Sequence, residues 1–279
     1  MADLDDYRRA SRESWDRFSA NWDDERAFFA EAAGGVRELL VERLDPQPDW
    51  TVLDIAAGTG ETSFAVAQRL GASGKMIATD FAPGMVDAMR REGERIGASN
   101  VEFRELDAER MDLDDESIDG VICRFGYMLM ADPAAAMAET RRVLRAQGRL
   151  SFAVWAAPAE NLWAAIPGMT MVELGHLPAP EPGAPGIFAL ADPARITELV
   201  TGAGFPEPQI EQVAVRWGYD SPDLHWDKTL KMAAPIADAF NSLDESGQAQ
   251  VRDKVAERVT EAIAGGGIDG VVHVVSTAK

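Results

Sequence analysis

The stretch VLDIAAGTGETSF, residues 52–64, sets an acid and two glycines between a short apolar run and an amphipathic one. A short apolar run ahead of glycines reads as a buried strand, and a glycine turn into a helix lets a ligand approach bare backbone and a helix N-terminus. The rest of the chain repeats the strand-then-helix order. TVLDIA leads into ETSFAVAQRLG, KMIATD into PGMVDAMRREGERIG with Pro83 suited to a first helical turn, and VEFRELD and IDGVICRF are a third and a fourth strand. DPAAAMAETRRVLRAQG is expected to be a helix opened by Asp132 as N-cap and stopped at Gly148, ahead of RLSFAVW as the fifth strand. DPARITELVTGAGF, QIEQVAVRW and GVVHVVSTA add a capped helix and two more strands. Strands that alternate with helices require a mostly parallel sheet covered on both faces. The expected fold class is therefore α/β, a doubly wound seven-stranded sheet with helical cap insertions.

The insertions are where the alternation breaks. Residues 1–45, with Trp15, Phe18, Trp22, Phe28 and Phe29 among charges, are expected to form an N-terminal helical lid, and 46–155 the ligand-binding core. Residues 156–191 form a first cap insertion, 192–217 return to the core, 218–268 form a second, helical cap, and 269–279 are the final strand. Within the second cap, SLDESGQAQVRDKVAERVTEAI reads as a helix opened by a Ser242–Glu245 capping box, with Val251, Val255, Val259 and Ile263 on one face.

A formal net charge of −20 argues against nucleic acid and against an anionic membrane surface, because both need a positive footprint that the interleaved arginines do not supply. Small molecules remain as partners. The lone cysteine, Cys123, lies in an apolar run and is expected to pack rather than react. The opening MADLDDYRRASRESWDRF is unlike a secretory or transit peptide and no apolar run reaches membrane length, so a cytoplasmic protein is expected. The aromatic N-terminal helix would serve equally as lid or as dimer contact, which leaves a homodimer open.

Three acids end three successive strands: Asp54, Asp80 and Asp107. In a parallel sheet all three reach the carboxyl edge, where ligands enter at the switch point. GTGETS approximates the dinucleotide pattern G-x-G-x-x-G, but Ser63 replaces the third glycine and Glu61 adds a charge beside the turn. A pyrophosphate among these acids would meet like charge, whereas a cationic nucleoside such as S-adenosylmethionine would be welcomed. An NAD(P)-dependent oxidoreductase and a non-catalytic cofactor-binding protein stay as alternatives.

VLDIAAGTGETSFAVA, ATDFAPGMVDAMR, VEFRELDAERMDLDDESIDGVICRFGYMLM and VLRAQGRLSFAVW, in this order, resemble the class I S-adenosylmethionine-dependent methyltransferases, and more narrowly the ubiquinone/menaquinone methyltransferase-like small-molecule group. The resemblance implies a Rossmann-like methyltransferase fold, S-adenosylmethionine as cofactor and S-adenosylhomocysteine as product. Carried over by position, it implies that Ala56, Gly58 and Gly60 let the turn pass the methionine moiety, with Asp54 beneath it, reached through its amino group or a water. Asp80 would accept from the ribose hydroxyls, and Phe81 or Met85 would cover the adenine. Asp107 would accept from the adenine amino group with Ala108 beside it, and Arg124 and Phe125 would line the reacting end.

For the acceptor, the large apolar residues of the two insertions suggest a small hydrophobic or aromatic molecule, methylated at oxygen or carbon. The Arg-Asn pair that quinone methyltransferases carry after this Phe-Gly is absent from FGYMLM, which weighs against a quinone, and no Asn-Pro-Pro-Tyr motif marks an amino-methylating enzyme. No metal is expected, since His176, His225 and His273 stand far apart. His176 and His225, in the insertions, are the candidate general bases. His273, inside VVHVVS, is expected to be a sheet residue.

Overall fold

The structure, a computed structural model, describes residues 4–181, 183–263 and 266–279. Residues 1–3 of the expected lid, 182 of the first insertion, and 264 and 265 of the second lie outside the described residues.

Helices α1 (Leu4–Asp24), α2 (Arg26–Ala32) and α3 (Gly34–Leu44) precede β1 (Thr51–Asp54). The chain continues through α4 (Glu61–Ala67), β2 (Lys75–Asp80), α5 (Pro83–Ile96), β3 (Val101–Glu105) and β4 (Ile118–Arg124). Next come α6 (Pro133–Val143), β5 (Leu144–Trp155), α7 (Leu162–Glu173), α8 (Pro193–Gly202) and β6 (Gln209–Trp217). Helices α9 (Pro222–Met232), α10 (Ala234–Asn241) and α11 (Glu245–Ala262) lead into β7 (Ile268–Ala278).

The seven strands make one sheet in the order β3-β2-β1-β4-β5-β7-β6. The first five are parallel, with Leu53 opposite Ile77 on one side and Val121 on the other, and β7 runs antiparallel to both β5 and β6. Each strand falls on an expected run; β1, β2 and β4, covered on both faces, are apolar at nearly every position, whereas β6 at the edge alternates. The chain walks outward from β1 to β3 and then jumps back to β4, so the carboxyl ends of β1 and β4 part at the switch point and leave a crevice. Asp132 and Asp192 cap α6 and α8, each accepting from a backbone amide of the first turn, and a proline opens each helix.

Two helix boundaries differ from the expectation. Helix α6 ends at Val143, not at Gly148, because Leu144 already pairs with Ile118 of β4. A register shift follows before Gly120 meets Arg149, and a Cβ on Gly148 would lie 2.9 Å from the Arg145 carbonyl oxygen, so this glycine serves the irregular strand. Ser242 does not open α11. Its hydroxyl donates to the Ala239 carbonyl at the end of α10, and Asp244 is the cap, its Oδ1 accepting from Gly247 N at 2.8 Å. The second insertion also holds three helices where one was read. Val251, Val255 and Val259 are buried as their spacing required, while Leu162, at the start of α7 in the first insertion, is 40 % exposed.

Helix α1 has no buried residue of its own. Polar ties hold it across the carboxyl edge: Arg8 to Glu109, Arg12 to Glu105, Tyr7 Oη to the Leu129 carbonyl at 3.2 Å, the Gly84 amide to Asp16 at 2.6 Å, and Arg17 to Asp238 at 2.5 Å. Glu25 is buried between Lys228 and Lys231 of α9, which hold its carboxyl below the usual range against the opposing pull of burial. Among the described residues no helix is long and apolar enough to cross a membrane.

Candidate functional site

A cavity of about 1620 Å³ lies over the crevice between β1 and β4. Its floor is the turn after β1. Ile55 still bonds to Ile122 of β4, after which Ala56, Gly58 and Gly60 all take positive φ, at 53°, 57° and 92°. The turn folds onto β2, with Ala57 N donating to the Thr79 carbonyl at 2.8 Å and Gly58 N to Asp80 Oδ2 at 3.0 Å. Its two glycines serve different ends. A Cβ on Gly58 would meet nothing within 4 Å, so that side of the turn is open to the cavity. A Cβ on Gly60 would lie 2.8 Å from the Phe64 ring and 3.0 Å from Met89, so Gly60 packs inward. It is the one expected cofactor residue of the turn that does not line the cavity.

Across the crevice, Phe125 at the end of β4 also has positive φ, 65°. A left-handed backbone at Ala56 or at Phe125 costs about 1–3 kcal/mol and persists where the surroundings enforce it. Gly126 supplies part of that enforcement, since its absent Cβ would stand 2.7 Å from both the Ala56 Cβ and the Cys123 sulfur. Cys123 is buried, and burial pushes its thiol up, as suits packing.

The expected acids do converge. Asp54 is fully buried; its Oδ2 accepts from Ser63 Oγ at 2.6 Å, and its Oδ1 has no partner. Burial raises its pKa to about 7. Asp80 accepts from Gly58 N and, through Oδ1, from Ala82 N at 3.0 Å; burial raises it to about 6 against those bonds. Asp107 accepts from Glu109 N at 2.9 Å, with Ala108 buried beside it. Asp54, Asp80, Asp107, Ala108, Phe81 and Met85 all line the cavity, as do Ala56, Arg124 and Phe125.

Two guanidinium groups stand beside the turn. Arg124 donates from Nη2 to Glu61 Oε2 at 2.8 Å, and Arg26 Nε lies 3.6 Å from Glu61 Oε1. Both arginines keep a buried Nη1 without a hydrogen-bond partner. The opposite wall is aromatic. Phe125 stacks on Trp155 with ring centroids 4.3 Å apart and planes at 1°, Trp155 meets Trp163 edge-on at 4.9 Å, and Trp163 lies 4.3 Å from Trp217. Phe29 joins that wall to Trp22.

Neither candidate histidine lines the cavity. His225 is fully buried with Nε2 at 2.7 Å from the Trp163 carbonyl oxygen, and burial lowers its pKa. His176 is half-buried past the end of α7. His273 sits in β7, bonded to the Ala191 carbonyl, as a sheet residue should. Among the described residues no group of three or more histidines, cysteines and acids could hold a metal ion.

Arg26, Glu109, Trp155 and Trp217 line the cavity without having been singled out for it. For the two tryptophans a signal existed. Each is the last residue of a strand running parallel to β1, and every such strand delivers its end to the same edge. Arg26 carried none, since its place depends on how α2 folds back over the turn.

Comparison with known proteins agrees with this architecture. Residues 52–148 match a family described as a methyltransferase domain. The chain is 31% identical over 183 residues to the demethylmenaquinone methyltransferase of Deinococcus radiodurans, covering 62% of this chain and 74% of that protein. It is 28% identical over 146 residues to the aklanonic acid methyltransferase DauC of Streptomyces sp. strain C5, covering 52% and 65%. The YcgJ protein of Bacillus subtilis shares the fold, with a TM-score of 0.61 at 19% identity over 88% of this chain and 98% of that one.

Proposed function

This chain belongs to the class I S-adenosylmethionine-dependent methyltransferases of the ubiquinone/menaquinone methyltransferase-like group, and from that premise we propose that it methylates a small, hydrophobic, ring-bearing acceptor at oxygen or carbon. The observation that carries the placement of the cofactor is Asp54 Oδ1, a carboxylate oxygen buried without a partner on a residue that lines the same cavity as Gly58. An unmade hydrogen bond of this kind costs about 1–3 kcal/mol, and more for a charged group. An ammonium group removes that cost, whereas a pyrophosphate would add like charge.

We therefore assign Asp54 to the cofactor's ammonium group and Asp80 to its ribose hydroxyls. Asp80 can serve them because each carboxylate oxygen accepts more than one hydrogen bond, so its two backbone bonds leave lone pairs free. Asp107 takes the adenine amino group, with Phe81, Met85 and Ala108 against the ring. Ala56 and Gly58 flank the methionine stem, and Gly60 acts by shaping the turn. Since the amides of Ala57, Gly58 and Gly60 already donate within the protein, we assign the carboxylate to Arg26, whose Nη1 makes no hydrogen bond and faces Glu92 only at 3.8 Å.

When bound, this cofactor supplies an electrophilic methyl group on a sulfonium that departs as a neutral thioether. The chain's own contribution is alignment in a dry site, worth as much as about 7–11 kcal/mol in favourable cases. Trp155, Trp163 and Trp217 offer rigid ring faces that exclude water and orient a flat acceptor. The volume supports two occupants, since about 1620 Å³ exceeds the cavity of a single small-molecule site, roughly 300–1,000 Å³. Demethylmenaquinone and aklanonic acid, for which two relatives are named, agree with an acceptor of small size. A screen for labelled methyl incorporation should find ring-bearing hydrophobic acceptors. Incorporation confined to highly polar or macromolecular acceptors would overturn the reading.

A further inference from the structure

Arg124 stands where the cofactor side of the cavity meets the aromatic wall. Its side chain is 9 % exposed, its guanidinium lies 5.1 Å from the centroid of the Phe29 ring, and the next residue, Phe125, is stacked on Trp155. Among the described residues it forms an ion pair with Glu61 alone. Glu61 is itself divided, accepting from Thr59 Oγ1 at 2.7 Å and facing Arg26 as well. Arg26 has further carboxylates in Asp23 at 2.5 Å and Glu92 at 3.8 Å. Arg124 thus has one ion-pair partner, which it shares, and its charge also reaches the buried Asp54, while its Nη1 is buried with no acceptor. A buried guanidinium with an unused donor is costly unless a ligand completes it, and its planar fork matches an oxyanion.

We propose that Arg124 receives an ionised oxygen of the acceptor, so that the substrate class is an arene bearing a carboxylate, phenolate or enolate oxygen. This rests on the ring-bearing acceptor proposed above. It also needs no histidine or tyrosine as a base. His176 and His225 stand elsewhere, and the hydroxyls of Tyr7 and Tyr219, which do line the cavity, are pushed up by burial. An acceptor that enters already ionised, its proton left in solvent, needs none of them.

The test is calorimetric titration of the full chain saturated with S-adenosylhomocysteine, using 2-naphthoate and 2-naphthylmethanol, which share one ring system and differ in charge. Wild type should bind 2-naphthoate at least about tenfold tighter. Arg124→Met should abolish that preference while leaving the alcohol's affinity within about twofold, and Arg124→Lys should keep part of it. Equal or weaker binding of 2-naphthoate by wild type overturns the proposal without any variant, so a misfolded Arg124→Met does not shield it. A preference that survives Arg124→Met also overturns it, as does a loss of S-adenosylhomocysteine affinity beyond about tenfold in that variant, which would give Arg124 to the cofactor. If the alcohol binds and 2-naphthoate does not, this inference falls alone. If neither binds, the ring-bearing acceptor falls with it.

Discussion

On the β2–β3 side of the crevice the cavity wall is made of carboxylates held by backbone amides; on the β5–β6 side it is made of stacked rings. The first side is built from chain-local pieces. Asp54, Asp80 and Asp107 each end a strand or follow one, and their partners lie close by in the chain: Ser63 in the first turn of α4, and Gly58, Ala82 and Glu109 in the connections after strands. The second side is assembled from far along the chain, with Phe29, Phe125, Trp155, Trp163 and Trp217 meeting ring to ring. A polar berth can be specified by a short motif because its geometry is that of one turn. A hydrophobic wall is specified by packing, which any set of rings of the right volume can satisfy.

That contrast predicts separable damage. The largest effect should come from Trp155→Ala, which removes a nearly fully buried ring from the wall. Urea unfolding should show a loss of about 3–5 kcal/mol. The surviving folded protein should keep its cofactor affinity; a parallel collapse of that affinity would break the division between the two sides. Next come the two glycines of the turn. Gly60→Ala should destabilise the fold by about 1–3 kcal/mol through overpacking against Phe64 and Met89, in addition to backbone strain. Gly58→Val should cost stability through strain alone and yet lose most cofactor binding, since only a ligand occupies the space its side chain would enter.

Asp80→Ala should weaken cofactor binding by about 1–3 kcal/mol, read by titration calorimetry. Unchanged affinity would misplace the site. A pH series sharpens the polar side further. Asp54 and Asp80 hold protons in the folded chain up to about 7 and about 6, whereas both have a reference value of 3.8. The folded state therefore binds more protons across that window, and their contribution to stability, full below the reference value, is lost as pH rises through the folded values. Thermal melts of the ligand-free chain should fall from these groups between those limits, while affinity for a cationic ligand should rise. The smallest effect should be at Arg17→Ala, where the exposed pair with Asp238 is worth about 0–1 kcal/mol and its loss should barely move the melting temperature.

The same contrast governs how much was legible in the sequence. All seven strands were: the central ones, covered on both faces, are near-continuous apolar runs, and β6 at the sheet edge shows alternation, with Val215 and Trp217 buried. The meeting of the acids and Gly58 at one cavity was legible too, since their types answer to a turn and a charge. Gly60 shapes the turn without lining the cavity, a distinction the sequence does not carry, because a glycine demanded by packing and one demanded by a ligand look alike until the neighbours are known. Ser242 and Asp244 show the same limit at a helix start: two good caps lay two residues apart, and the end of α10 claimed the first. His176 and His225 drew notice as histidines of the insertions, but neither lines the cavity. The three-helix cap and the fold-back of α2 were not legible, because amphipathic periodicity says that a face is buried without saying against what.

The central claim is that buried carboxylates at the carboxyl edge form a berth for a cationic sulfonium nucleoside. Calorimetric titration of S-adenosylmethionine at a pH between the values of Asp80 and Asp54, repeated in two buffers of different ionisation heat, tests it directly. The account predicts binding with net release of protons, as both acids ionise against the incoming charge. Binding with no proton release, or binding of a nicotinamide dinucleotide in place of S-adenosylmethionine, would contradict it.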